Sequence, residues 1–290
     1  MSAQLEAERA RLRGALGRYG IWRGRPGVPV DYAVEAERLG FGSLWAGGSP
    51  AADLVAIEEL LAATERIVVA TGIVNIWSAD VGQLAESFQR IEERHPGRFI
   101  LGIGTGHPER IEQAAKPYGP IVDYLDALEA RGVPGHRLAL AALGPRITAL
   151  AGERTLGAHP YFVPAAHSAA ARTVLGPEPL LIPEARVALE SDADRARDLL
   201  RPGMAFYFAL TNYRNNLVRL GYSEDELDPE HDAAIDALAI WGEGERIRTG
   251  LDAVLAAGAD HVLAQLIAPE GADLVAELRR LAEALGLARD

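Results

Sequence analysis

Short apolar runs rich in β-branched residues alternate along the chain with longer segments in which apolar residues recur at helical spacing. This alternation is typical of repeated strand–helix units around a parallel sheet. Eight strands are predicted, at residues 18–22, 43–46, 67–73, 98–103, 138–142, 159–162, 180–189 and 261–267. Helices are predicted to follow them, at residues 30–39, 53–64, 83–94, 121–131, 145–155, 166–175, 243–257 and 272–285.

Eight strand–helix pairs in 290 residues predict an α/β fold of the TIM-barrel type, a (β/α)8 barrel, for which roughly 250 residues is typical. The extra length falls after the seventh strand, where residues 191–242 are predicted to form a helical insertion. Its aromatic stretch, residues 206–222, is interpreted as core or dimer packing rather than as ligand contact. Because no linker rich in proline or serine divides the chain, one domain over residues 1–290 is predicted.

A doubly wound open sheet is the main alternative, since it also alternates strands and helices. The chain lacks the G-x-G-x-x-G fingerprint at an N-terminal helix, and its glycine-rich turns recur after the second to the fifth strands. A barrel builds its site from the carboxyl ends of many strands, so this distribution of turns favours the barrel.

The formal net charge of −12 argues against a nucleic-acid or anionic-membrane partner, because such partners demand a basic surface. The absence of cysteine excludes disulfides and thiolate-ligated metals, and without an HExxH motif no catalytic metal is predicted. The first residues mix acids with arginines, and no run reaches the roughly 18 apolar residues of a spanning helix. We therefore expect a cytoplasmic protein that acts on a small molecule.

The stretch FILGIGTGHPER, residues 99–110, ends an apolar strand in a turn whose glycines leave the backbone bare. Backbone N–H groups in such a turn are free to bind an anion or a ring carbonyl. His107 and Arg110 add a titratable group and a fixed cation at the same rim. Three interpretations are open at this point: a phosphate or flavin cradle, a dinucleotide-binding turn, and a tight strand-to-helix connection.

Two other strands also end in candidate binding turns. Gly72 interrupts the β-branched third strand and Asn75 follows it, which suggests a bulge or a close backbone approach. After the fifth strand, Gly-Pro-Arg at residues 144–146 opens a helix whose N-terminus can receive an anion. Both turns also fit ordinary barrel bends. His159 and Tyr161 are second-rank acid–base candidates, for which lining of the barrel interior is the favoured interpretation.

Six segments of the chain resemble, in order and spacing, those of the luciferase-like oxidoreductases, and look most like the coenzyme F420-dependent branch of actinobacteria. These segments are GFGSLWAGG, VVATGIVNIW, HPGRFILGIGTGHPE, YLDALEARGVP, LAALGPRITALAGERTLGAHPYFVP and LGPEPLLIPEARVAL. The resemblance implies a barrel with an insertion after the seventh strand. It also implies a deazaflavin lying across the carboxyl ends of the strands, under loops that follow the first, second and seventh strands.

In that family a non-proline cis peptide in the third strand supports the back face of the ring, and the bond between residues 72 and 73 matches its position. The predicted cofactor-binding residues are Gly72, Ile73, Asn75, Gly104, Thr105, Gly106, His107, Arg110, Leu143, Gly144, Pro145, Arg146 and His159. His107 is also the predicted catalytic residue, because an imidazole exchanges a proton near neutral pH.

The sequence also departs from the family. Gly47 and Gly48 stand where the sugar-phosphate dehydrogenases of this branch carry an Asp-His pair, and His107 stands where they carry a glutamate. We therefore expect a homodimeric enzyme that transfers a hydride between coenzyme F420 and an organic substrate other than a sugar phosphate. One alternative is an FMN-dependent monooxygenase, disfavoured because the fifth-to-sixth strand segment lacks a serine-rich phosphate loop. The other is a non-catalytic flavin-binding barrel, to which Gly47 and Gly48 give weight.

Overall fold

The computed structural model describes residues 3–24, 26–106 and 118–287 of the chain. In these ranges the strands are β1 (Tyr19–Arg23), β2 (Ser43–Gly47), β3 (Val68–Gly72), β4 (Val74–Asn75), β5 (Phe99–Gly104), β6 (Leu138–Ala141), β7 (Gly157–His159), β8 (Leu180–Leu181), β9 (Glu184–Ala188), β10 (Ala239–Trp241) and β11 (Val262–Leu266).

The helices in the same ranges alternate with the strands. They are α1 (Ala3–Leu16), α2 (Val30–Arg38), α3 (Val55–Ala62), α4 (Val81–Arg94), α5 (Tyr118–Glu129), α6 (Pro145–Arg154), α7 (Ala165–Leu175), α8 (Ala193–Phe208), α9 (Thr211–Arg219), α10 (Asp232–Leu238), α11 (Glu245–Ala256) and α12 (Leu274–Leu285). None of these described helices combines the length and the apolar character that a membrane span needs.

The strands form one parallel sheet in the order β10-β9-β11-β1-β2-β3-β5-β6-β7-β8, with β4 beside β5. The sheet closes on itself because β8 and β9 are the halves of one bent strand, of which β8 pairs with β7 and β9 with β11. Backbone hydrogen bonds continue across the bend, since the Ile182 N–H donates to the Ala158 carbonyl and the Leu263 N–H to the Pro183 carbonyl, both at 2.9 Å. The predicted barrel is confirmed.

Some predicted boundaries were wrong, and each has a local cause. The sixth strand, expected at residues 159–162, is β7 and ends at His159, because Pro160 has no N–H to donate to the sheet and Phe162 adopts a positive φ of 55°. The third predicted strand, at residues 67–73, is β3 and ends at Gly72, and an unpredicted short strand, β4, follows Ile73. Residues 191–242 contain the predicted helices α8 to α10, but also the unpredicted strand β10, which pairs with β9.

The helix α1 was not predicted, and it closes the amino end of the barrel. Its buried residues, Leu5, Arg9, Leu12 and Leu16, recur at helical spacing along one face. Leu12 and Leu16 pack with Trp45 in the apolar cluster that fills the barrel interior. The amino end of the barrel is therefore a packed core, and any cavity large enough for a ligand has to lie elsewhere.

Arg9 occupies the middle of this apolar face and is 1% exposed. Its guanidinium donates to three carbonyl oxygens, those of Gly152 at 2.6 Å, Thr155 at 2.5 Å and Leu156 at 3.1 Å. These carbonyls lie at the end of α6 and just before β7, so Arg9 ties α1 to the barrel wall.

Replacing Arg9 by leucine is expected to destabilise the protein by about 3 kcal/mol, because it leaves three buried carbonyls without their charged donor. Thermal unfolding should show a midpoint lower by roughly 6 to 12 °C. The matched control is Arg11→Leu, since the Arg11 side chain is 45% exposed and pairs with Glu8 at the surface. Equal midpoints for the two variants would contradict the role assigned to Arg9.

Candidate active site

A cavity of about 860 Å³ occupies the carboxyl end of the barrel. The strand ends and following turns that line it belong to β1, β2, β3, β5, β6, β7, β9 and β11, together with α8 and the start of α9. The loops after the first and second strands contribute Arg23, Gly24, Gly48 and Ser49. The carboxyl end of a barrel is where the sites of this fold are built, so this cavity is the candidate active site.

One side of the cavity is a wall of bare backbone at the end of β3. The Gly72–Ile73 peptide bond is cis, at the position that the family resemblance implied. Both residues line the cavity, and a Cβ on Gly72 would lie 2.5 Å from the Trp22 indole nitrogen. That indole N–H is buried and has no hydrogen-bond partner among the described residues. Trp22 therefore offers an unused donor beside this wall.

The turn after β5 continues the same wall. Thr105 and Gly106 line the cavity beside Asn75. Gly106 has a φ of +60°, and a Cβ there would lie 2.5 Å from the Asn75 amide nitrogen, so the position requires glycine. The Asn75 side-chain oxygen accepts the Trp77 backbone N–H at 3.0 Å, which fixes the amide in place.

The turn after β6 adds Leu143 and Gly144 to the cavity lining. Gly144 precedes α6, and a Cβ there would meet nothing within 4 Å. Three predicted cofactor-binding residues, Gly104, Pro145 and Arg146, are not among the residues that line the cavity. Arg146 is exposed, and its guanidinium lies 4.3 Å from the centre of the Tyr118 ring. His107 and Arg110, which complete the predicted set, lie outside the described residues.

His159 lies at the base of the cavity in a defined protonation state. Its Nδ1 is 2.8 Å from the Ile182 carbonyl oxygen, which can only accept, so Nδ1 carries the proton and Nε2 is left as an acceptor. The imidazole is tilted against the Trp45 ring at a centroid distance of 4.5 Å. Burial lowers the pKa of His159 to about 4. The ring is therefore neutral at physiological pH and fits an accepting role better than proton transfer.

The opposite side of the cavity carries Tyr161, a second-rank candidate of the sequence analysis, with Arg186 and Gln265, which the sequence did not reveal. The Tyr161 hydroxyl donates to the Gln265 side-chain oxygen at 2.9 Å and accepts from the Arg186 guanidinium at 2.8 Å. Arg186 and Glu184 alternate on β9 and both point inward, although the sequence EARVA reads as an ordinary buried strand. Two charged residues two positions apart inside a predicted buried strand were the available signal.

The Glu184 carboxyl lies next to this group but does not line the cavity. One of its oxygens accepts the Phe162 backbone N–H at 3.1 Å, and the other has no partner among the described residues. Burial raises the pKa of Glu184 to about 7, although the Arg186 charge and the Phe162 hydrogen bond oppose that shift. This carboxyl is therefore divided between its neutral and charged forms near neutral pH.

The insertion forms the remaining wall, which corrects one interpretation of its aromatic stretch. Phe208 and Leu217 pack in the apolar core of the insertion, as expected. Phe206, Tyr207 and Tyr213, however, line the cavity. Core packing and cavity lining are combined because neighbouring positions of an α-helix point about 100° apart, so Phe206 and Tyr207 reach the cavity while Phe208 packs in the core.

Comparisons with known proteins agree with this architecture. Residues 13–131 match the model of the luciferase-like monooxygenase family. Over 92 residues the chain is 30% identical to an F420-dependent glucose-6-phosphate dehydrogenase of Microbacterium testaceum. That match covers 28% of this chain and spans about a quarter, 27%, of the curated relative.

Solved structures share the fold at low sequence identity. An F420-dependent secondary alcohol dehydrogenase in complex with an F420–acetone adduct superposes with a TM-score of 0.71 at 14% identity, covering 94% of this chain and 99% of that one. A 3,6-diketocamphane monooxygenase from Pseudomonas putida in complex with FMN superposes with a TM-score of 0.67 at 15% identity, covering 93% and 96%. The chain is therefore similar to the luciferase-like monooxygenase family over residues 13–131, and it shares the fold of these solved enzymes over nearly its whole length.

Proposed function

We propose that the chain is an F420-dependent oxidoreductase, which transfers a hydride between the deazaflavin and a small organic substrate in this cavity. The observation that carries the proposal is the bare backbone wall formed by Gly72, Ile73 and Gly106 at the cavity's side. A flat ring can approach such a wall closely because its two glycines add no side chains of their own, and Trp22 and Asn75 lie beside the positions that those side chains would fill. The matches to F420-dependent enzymes in both comparisons support the deazaflavin.

The residues present fit a flat heterocycle with polar edges. The Trp22 indole N–H has no partner among the described residues and would donate to a ring heteroatom or carbonyl. The His159 Nε2 is an acceptor beside the same wall, since a Cβ on Gly72 would lie 3.3 Å from it. A donor and an acceptor next to one bare surface would fix the orientation of the ring.

The bound deazaflavin supplies the hydride chemistry, and the protein supplies position and a dry cavity. Trp22 and His159 would orient the ring, and Phe206 and Tyr207 of the insertion, which line the cavity, would help to exclude water from it. The Tyr161 hydroxyl lines the cavity and is held there by Arg186, from which it accepts, and by Gln265, to which it donates. His107 stays our proposed proton carrier on sequence grounds.

An FMN-dependent monooxygenase is the second candidate, because the family model has that activity in its name and the diketocamphane monooxygenase binds FMN on the same fold. Residues 142–156, between β6 and β7, contain no serine to build the phosphate loop expected for that activity. The non-catalytic barrel and the homodimer both stay predictions.

Calorimetric titration of the purified protein with F420 and with FMN tests the cofactor. We expect F420 to bind with a dissociation constant of about 1 μM or below, and FMN at least about 10-fold more weakly. Tighter binding of FMN would favour the monooxygenase instead. If neither F420 nor FMN binds, the proposed function is contradicted, even where the protein is stably folded.

A further inference from the structure

The two sides of the cavity differ in what they present to a ligand. The β3 side is bare backbone, whereas the side formed by β7, β9 and β11 presents Tyr161, Arg186 and Gln265. In the closed barrel β9 lies four strands from β3 in either direction, so Arg186 and Gly72 face each other across the cavity. A ring resting on the β3 wall would leave the Arg186 side for a second molecule.

Arg186 is a buried cation whose hydrogen bonds are incomplete. It is 3% exposed, yet within the described residues its guanidinium donates a hydrogen bond to the Tyr161 hydroxyl alone, and its Nε has no partner there. Within residues 3–24, 26–106 and 118–287 no carboxylate forms an ion pair with it. Burying a guanidinium is costly, and the Glu184 carboxyl that interacts with it electrostatically is only partly charged near neutral pH, so an anionic group entering the cavity would still be attracted to Arg186.

Aromatic rings hold this cation in place. Its central carbon lies 5.7 Å from the Tyr161 ring centre, 5.3 Å from that of Phe162 and 4.8 Å from that of Tyr207. On the remaining side α8 packs closely, since a Cβ on Gly203 would lie 3.1 Å from Nη1. Ring faces attract a cation but accept no conventional hydrogen bonds, so the free N–H groups stay available to a ligand.

We propose that Arg186 binds a carboxylate of the substrate, and that the natural substrate is a small organic acid whose apolar part packs on Phe206 and Tyr207. The statement that the bound acid is the substrate rests on the proposed function. The anion subsite at Arg186 does not depend on it. A planar guanidinium is the side chain best matched to a carboxylate, which it can hold through two parallel hydrogen bonds. Tyr161 and Gln265 would complete the polar contacts.

Benzoate and its neutral counterpart benzamide are suitable probes, because both are small and aromatic and differ in charge. In calorimetric titrations of the wild-type protein we expect benzoate to bind at least about 10-fold more tightly than benzamide. Equal affinities would overturn the proposal without the use of any variant.

Arg186→Met should lower benzoate affinity by about 30-fold or more and leave benzamide and F420 affinities within about threefold. The matched control is Arg195→Met, whose side chain is 68% exposed on the insertion. Unchanged benzoate binding in a folded Arg186→Met protein overturns the subsite, and so does loss of F420 binding in that variant, because Arg186 would then hold the cofactor. If wild-type protein binds benzoate through Arg186 but does not bind F420, the subsite stands and the proposed function fails.

Discussion

Replacing Gly144 by valine is expected to reduce F420 affinity by about 100-fold or more while leaving the fold intact. A Cβ at this position meets no protein atom within 4 Å, and the extended backbone, with φ −87° and ψ 156°, suits a β-branched residue. The new side chain therefore points into space that the proposed ring needs. Displacing a flat ring from its wall removes most of its contacts, which is worth several kcal/mol.

The control for this prediction is Gly14→Val, because a Cβ on Gly14 also meets nothing within 4 Å but stands on α1, at the other end of the barrel. Calorimetric titration should show wild-type affinity for that variant. If Gly144→Val binds F420 as tightly as wild type and melts at the same temperature, the ring does not lie beside the β6 turn.

Acidification from pH 7 to pH 4 is expected to cost roughly 6 kcal/mol of unfolding free energy through three buried histidines and Glu184. Burial lowers the pKa values of His159, His167 and His261 to about 4, from 6.5 in the unfolded chain. The unfolded chain therefore binds more protons over this window, and each histidine removes about 3 kcal/mol as the pH falls from 6.5 through 4. Glu184 acts in the opposite sense: its folded pKa of about 7 lies above 4.5, so it adds about 3 kcal/mol as the pH falls from 7 through 4.5.

Urea unfolding at a series of pH values measures this dependence. His167→Leu should flatten the slope by about one proton, since His167 packs against Asn216 and one of its ring nitrogens has no partner in the described chain. His231→Leu is the matched control, because it removes an exposed histidine instead of a buried one. A free energy of unfolding that stays constant from pH 7 to pH 4 would contradict the neutral, buried state assigned to the three histidines.

The features of this protein that could be predicted from its sequence are features of the backbone. Glycines that interrupt apolar strands predicted the turns at residues 72, 106 and 144, because a missing side chain has a direct steric meaning. The alternation of apolar runs with helical segments predicted the barrel, since both periods follow from local geometry. These signals come from a few consecutive residues and need no knowledge of distant parts of the chain.

The features that sequence reasoning missed depend on partners far away along the chain. Arg9 interrupts the apolar face of α1, and its partners, the carbonyls of residues 152, 155 and 156, are invisible until the chain folds. Arg186 was overlooked for the same reason, because the rings around it come from the segment that follows β7 and from α8. A charged residue within a buried pattern is ordinarily interpreted as a solvated edge, and tertiary contacts decide otherwise.

A crystal structure of the protein with bound oxidised F420 tests the central claim most directly. We predict that the deazaflavin ring lies in van der Waals contact, about 3.5 to 4 Å, with the Gly72–Ile73 backbone, and that Arg186 does not touch it. The Trp22 indole N–H and the His159 Nε2 should be within hydrogen-bond distance of the ring's polar edge. A ring stacked instead on Tyr207 beside Arg186, or bound outside the barrel mouth, would contradict the account.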